Sequence, residues 1–394
     1  MRRFFPFLLF LFIIAVILRI DFFFTIAYLF FLLFVLARLW IGRGLTQVRI
    51  ERQYSPRAFS GDEVEVEVLV RNNGRLPVPW LQVHESLPVE LISPPFHTEV
   101  FSLGPGERHF FRYTLHARER GIYQLGPLSA QSGDLLGLEP ARSVDFGSEQ
   151  IVVYPRIMHM PRLRLPTRSP LAALPARLPL FEDAARVSGV REYQRGDSPR
   201  RIHWSATASA GQLLVKQYQP AVARETLLAL DLNLDGYEGR RRREASELAI
   251  VAAASLANHI IVRERLPVGL AAEALDPLAH TRERFFLPAR SERAHLISVL
   301  EVLARVRLVP GVPLAEILRR ERPRLAWGTT IVAITGRADE ELLDTLASLR
   351  QGGFAVSLLL VQAPDPAPLV RERAALLGIS IWPIWREQDL EHAR

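Results

Sequence analysis

Cysteine is absent from the 394 residues, which excludes structural disulfides and thiolate metal sites. Lysine is almost absent too: Lys216 is the only one among 49 basic residues. Familiar catalytic patterns are also missing. The chain has no G-x-x-x-x-G-K-[ST] phosphate loop, no H-E-x-x-H metal helix and no G-x-S-x-G nucleophile elbow. Its histidines are scattered, and His84-Glu85, inside a strand-like stretch, reads as an exposed pair and not as a base with its orienting group. These absences point to a protein that is not an enzyme. The formal net charge of +7 and a pI near 10.2 invite a nucleic-acid reading. The arginines are spread along the chain and mixed with acids, however, and no basic, aromatic-interleaved surface stands out, so nucleic acid is not an expected partner.

What the chain has in excess is apolar sequence at its start. Phe4 to Leu18 and Phe22 to Ala37 carry no charge, and Arg19-Ile20-Asp21 separates them. One helix through both would far exceed a hydrocarbon core of roughly 30 Å, so residues 1–43 read as two transmembrane helices with a tight polar turn. Arg19 and Arg38 can snorkel, and Trp40 suits the headgroup level. A cleaved signal peptide fits less well, because a second apolar run comes next in place of a small-residue cleavage site. Arg2 and Arg3 before the hairpin, with Arg38 and Arg43 after it, place both ends in the cytoplasm by the positive-inside rule. The expectation is a multi-pass protein of the inner membrane, with the lipid bilayer as its first partner.

Residues 44–160 have period two. Val64, Val66, Val68 and Val70 alternate with Glu63, Glu65 and Glu67, Asn72-Asn73-Gly74 supplies a turn, and Ile151 to Tyr154 is strand-like. Short strands at this spacing predict an all-β sandwich-like domain. Residues 161–190, rich in Pro, Leu and Arg at their start, read as an extended linker. From residue 223 to 394 strand and helix alternate: Leu227 to Leu230, Arg243 to Arg265, Val268 to Ala272, Ile331 to Thr335, Phe354 to Val361 and Ile379 to Ile384. Asp339 is placed to cap a helix carrying Leu342, Leu343, Leu346 and Leu349. This alternation predicts an α/β domain with a mostly parallel sheet.

Two segments are candidate sites. Asp231, Asn233 and Asp235 offer alternate oxygens of the kind Mg²⁺ or Ca²⁺ prefers, beyond the end of a buried strand; the competing reading is a polar turn capped by Asn233 or Asp235. Residues 191–222 hold Arg195, Gly196, Asp197, Arg200, Arg201, Trp204 and Lys216. They form either a turn pinned by an Asp–Arg pair, with Trp204 as a packing anchor, or a partner-docking patch.

The run REYQRGDSPRRIHWSATASAGQLLVKQY from Arg191 to Tyr218 resembles the signature of a bacterial membrane protein family catalogued as domain of unknown function 58. RGIYQLGP at Arg120 to Pro127, GDLLGL at Gly133 to Leu138 and VYPR at Val153 to Arg156 agree with it. The resemblance implies that residues 223–394 form a von Willebrand factor A-like (Rossmann-like) domain, and that the protein works with a MoxR-type AAA+ ATPase in assembly or maturation of other proteins. In that domain type the metal site opens with D-x-S-x-S. Asp231 matches the first position, Asn233 and Asp235 replace the serines, and Ile334-Thr335-Gly336-Arg337 lacks the Asp-Gly pair of a later strand, so metal-dependent ligand binding of the usual kind is weakened.

Overall fold

The computed structural model describes residues 4–18, 21–133, 141–161, 182–194, 196–220, 225–362 and 368–392. Arg2, Arg3, Arg19, Arg195, Asp134 to Leu138 and most of the Pro-rich stretch lie outside them. The chain is mixed α/β and divides into two compact units, residues 1–156 and 157–394.

The first unit opens with helices α1 (Phe4–Leu18) and α2 (Asp21–Thr46), and the expected turn at residues 19–20 lies outside the described residues. They pack side by side, with the Phe12 and Phe24 rings edge to face at 6.1 Å. Helix α2 runs past the expected end of the hairpin, because Leu45 is drawn into the core of the strands after it. Those strands are β1 (Val48–Gln53), β2 (Arg57–Phe59), β3 (Glu63–Asn72), β4 (Val78–Ser86), β5 (Phe96–Leu103), β6 (Arg108–His116), β7 (Gly121–Leu125), β8 (Leu128–Ser132), β9 (Arg142–Asp145) and β10 (Glu149–Tyr154). They form sheets ordered β1-β3-β6, β2-β10-β7 and β5-β4-β8-β9. All three turn apolar residues into one core, with Val66, Val68 and Val70 of β3 meeting Leu81, Leu125 and Ile151. Asn72, expected in an open turn, is buried; its amide donates to the carbonyls of Leu76 and Gly104, and its Oδ1 accepts from Gly74 N.

Glu85 departs from the exposed pair expected of His84-Glu85. It is fully buried, while His84 points out. Arg52 Nε donates to Glu85 Oε1 at 2.7 Å and Tyr113 Oη donates to Oε2 at 2.8 Å, so both carboxylate oxygens are held. Arg52 also reaches Glu149 Oε1 at 3.0 Å and Gly147 O at 3.2 Å. Burial, reinforced by the Glu85 charge, drives the Tyr113 phenol far above its ordinary range and fixes it as a donor. The inward alternation of β4 set Glu85 inside, and a partner 33 residues away made that tolerable.

In the second unit β11 (Glu182–Glu192) and β12 (Leu214–Pro220) form an antiparallel ribbon, with the short helix α3 (Trp204–Ala210) between them. The last third of the expected linker is therefore strand. Its pairing partner lies beyond α3, outside any local pattern. The large sheet comes next: β13 (Thr226–Leu230), α4 (Arg242–Asn258), β14 (Val268–Asp276), β15 (Thr281–Arg290), α5 (Arg293–Arg305), α6 (Leu314–Glu321), β16 (Thr330–Thr335), α7 (Glu340–Gln351), β17 (Ala355–Val361), α8 (Pro368–Leu376), β18 (Ser380–Ile384) and α9 (Asp389–His392). Strand order is β15-β14-β13-β16-β17-β18, parallel except for the edge strand β15. Every residue of β13, β16 and β17 is buried, as a sheet covered on both faces requires. Leu227, Ala229, Ile331 and Ala333 face α6 and α7, while α4 lies against the opposite face. Asp339 caps α7 as expected, its Oδ1 accepting from Leu342 N at 2.8 Å.

Among the described residues, the helical stretch long and apolar enough to cross a bilayer is Gly239–Glu264, and 78% of its most apolar window is buried against protein. By the same measure the Phe22–Leu32 part of α2 is a shorter apolar helix, and α1 is 15 residues long and carries no charge.

Glu85→Ala should destabilise the protein by about 3–5 kcal/mol, because Arg52 and Tyr113 would lose their buried acceptor and Arg52 would keep only the half-exposed Glu149. The pair Arg52→Met with Glu85→Leu should recover most of that loss. Urea denaturation of both variants against the parent checks the expectation.

Candidate functional site

In open α/β sheets the crevice for ligands lies past the carboxyl ends of the strands, where the chain reverses its direction of travel across the sheet. Here that point is between β13 and β16: from β13 the sheet grows one way through β14 and β15, and from β16 the other way. Asp231 and Thr335 stand there side by side. Thr335 Oγ1 donates to Asp231 Oδ2 at 2.7 Å, Asn233 N donates to Asp231 Oδ1 at 3.0 Å, and Asp231 N donates to Ile334 O at 2.9 Å. The buried Tyr237 hydroxyl donates to Asp231 O at 2.6 Å. Burial raises the Asp231 carboxyl from 3.8 to about 6, against two hydrogen bonds that pull it down.

Asn233 Oδ1 accepts from Gly311 N at 3.0 Å and from Asp235 N at 3.4 Å, which makes it the cap of the 3-10 turn Leu234–Gly236. Asp235 is exposed. A methyl group added at Gly236 would land on the Asp231 carboxylate. This donor set does not fit a divalent ion: the oxygens of Asp231 and Asn233 are engaged by protein donors, and the space beside Asp231 is filled. Among the described residues no three His, Asp or Glu side chains converge on a metal position.

Beside this clasp lies an open cleft of about 400 Å³, lined among others by Tyr237, Arg240, Arg241, Gln362 and Trp385. The sequence patterns singled out none of them. Tyr237 carried a faint signal as an aromatic just past the Asp231 loop; Gln362 and Trp385 come directly after β17 and β18, so only the strand order brings them in.

The second segment is built differently. Arg191 at the end of β11 grips Asp197 with two parallel hydrogen bonds of 2.7 Å, and Gln194 N donates to the same carboxylate at 2.9 Å. Gly196 sits at φ +110, a conformation that side chains resist, which lets the turn close. The Arg191 fork and the Gln194 amide hold the Asp197 carboxyl down at about 2. The pinned Asp–Arg turn is thus present, with Arg191 as the arginine. His203 Nδ1 accepts from Ala206 N and caps α3, Gly211 ends the helix at φ +68, and Leu214 N donates to Thr207 Oγ1.

Trp204 was expected to anchor packing. It is instead 67% exposed, because the seven-residue α3 buries none of its side chains. Leu213, Arg200 and Arg201 of the same segment are exposed, as is Val190 of β11 just before it. Lys216 is half-buried in β12 opposite Val190.

The folded Asp231 binds its proton more tightly than the unfolded one. Stability contributed by this group is therefore full below about pH 4 and lost as pH rises to about 6, a difference of about 3 kcal/mol. Asp231→Asn should remove that slope. Denaturation midpoints of parent and variant across this range, compared pairwise, check it.

Residues 189–352 match the family described as "Protein of unknown function DUF58". An uncharacterized protein of Bacillus subtilis (strain 168), YeaD, is 23% identical over 313 residues, covering 78% of this chain and 73% of the relative. Among solved structures, the CARDB domain of the PF1109 protein from Pyrococcus furiosus is 18% identical and covers 27% of this chain and 91% of that one, at a TM-score of 0.20. A beta-glucosidase from Listeria innocua is 14% identical over 28% of this chain and 16% of its own, at a TM-score of 0.19. The DUF58 match over residues 189–352 takes in the clamped turn, α3 and the Asp231–Thr335 clasp.

Proposed function

We propose that this protein is a membrane-anchored, non-catalytic adaptor that docks a partner protein through the segment around Trp204. The observation that carries the reading is the exposure of Trp204 on a rigid support. Tryptophan left in water is costly, and in interfaces it is a preferred energetic anchor. Here the Arg191–Asp197 clamp, the His203 cap and the Thr207 bond to Leu214 fix the backbone on both sides of it. Pre-organisation of that kind lowers the entropic cost of docking. Arg200 and Arg201 border the ring in sequence and favour an acidic partner surface.

Support for the anchor comes from α1 and α2. Phe10, Ile13, Val16 and Ile17 of the first, with Phe22, Tyr28, Leu29 and Phe31 of the second, leave apolar side chains uncovered by protein. A hydrocarbon environment would cover them, with the soluble units in the cytoplasm by the distribution of arginines. The order and direction of the large sheet agree with a von Willebrand A-like, Rossmann-like domain. Through the family resemblance, the partner in view is a MoxR-type AAA+ ATPase acting in assembly or maturation of other proteins.

Full-length protein in detergent should retain a MoxR-type ATPase from the same cell on a pulldown. Trp204→Ala should weaken retention by more than tenfold, the loss of about 2 kcal/mol expected of a central anchor. Asp197→Ala should weaken it too, by loosening the turn. Equal retention by both variants rejects the docking segment. Recovery of the full-length chain in the aqueous fraction of cells broken without detergent rejects the anchor.

A further inference from the structure

The cleft beside the Asp231–Thr335 clasp has features that the docking reading leaves unused. It opens past the carboxyl ends of β16, β17 and β18, the position where doubly wound sheets take small ligands. Its volume of about 400 Å³ suits a compact molecule and lies within the usual range of such sites. Gln362 lines it, and the Oε1 of the same side chain, shielded from solvent in this conformation, has no donor in the described structure. The same residue is held at φ 47, a left-handed conformation uncommon for glutamine and found often at functional positions. Its backbone is pinned there by a 2.7 Å hydrogen bond from Gln362 N to Ile384 O.

Charge and shape narrow the ligand. Arg240 and Arg241 reach the cleft from the 3-10 turn before α4, and among the described residues neither is paired with an acid. Glu238 on the rim offsets only part of that positive charge. Trp385 supplies an aromatic wall that is 46% exposed, its backbone N–H fixed by Asp389 Oδ2 at 2.8 Å. An arginine pair asks for an anionic group, an orphaned carbonyl oxygen asks for an N–H donor, and an exposed indole asks for a planar partner.

We propose that this cleft binds a purine mononucleotide, with its phosphate at Arg240 and Arg241 and its base against Trp385, the Gln362 amide rotating outward to accept a base N–H at its unsatisfied Oε1. An acidic peptide would use the arginines but would leave the indole without a flat partner. No chemical step is attached to the binding.

Isothermal titration of the full-length protein in detergent, with AMP, GMP, inorganic phosphate and a glutamate hexapeptide, tests this. Saturable binding of AMP or GMP below about 1 mM is expected, with phosphate and the peptide at least tenfold weaker. Arg240→Ala combined with Arg241→Ala should weaken the nucleotide by about tenfold or more, and so should Gln362→Gly, which removes the amide while suiting the positive φ. Trp204→Ala should leave the affinity unchanged, which separates this site from the docking segment. No saturation by either nucleotide, equal binding of phosphate or peptide, or unaltered affinity in both cleft variants that retain the parent circular dichroism spectrum overturns the proposal.

Discussion

The burial of β13 on both faces and both edges governs the second unit. A central parallel strand flanked by β14 and β16 ends in a buried position, so Asp231, the first polar residue after it, has to find partners inside the protein. Asp231 does so with Thr335, Asn233 N–H and the Tyr237 hydroxyl, joining the ends of β13 and β16 to the loop above them. That clasp sets the loop's shape. Asn233 turns toward Gly311, Gly236 lies flat on the carboxylate, and Arg240 and Arg241 are delivered to the cleft at the start of α4. The residues that looked like metal ligands are the fastenings of this corner.

The first unit solves a similar problem with full charges. Arg52 and Glu85 lie in the core of the strands, and their separation from water is offset by Tyr113, Glu149 and Gly147 completing the hydrogen bonds. Such a cluster adds little net stability over an apolar core of the same shape, but it tolerates one register only: a one-residue slip of β4 would carry Glu85 out and His84 in.

The two candidate sites obey opposite physical rules. At α3, polar contacts are spent on fixing the backbone, and the large apolar side chain is left in solvent, which is what the docking proposal rests on. At the cleft, an unsatisfied acceptor and arginines without an acid among the described residues stand beside apolar lining, which is what the nucleotide proposal rests on. Both lie in the unit that carries the family match.

Sequence alone determined the elements whose signal is local. The apolar runs of α1 and α2, the valine alternation of β3, the buried strands β13, β16 and β17 and the Asp339 cap were legible because period, charge and capping chemistry act within a few residues. The Asp–Arg pinned turn was legible as a type, although its arginine proved to be Arg191. The tertiary structure decided whatever depended on a distant partner. It set β11 against β12 in place of a linker, buried Glu85 against Arg52, left Trp204 in solvent, and joined Asp231 to Thr335. It also gathered Arg240, Gln362 and Trp385, from three separate loops, around one cleft. In each case a side chain's role was fixed by what stood opposite it, and a linear pattern carries no record of that.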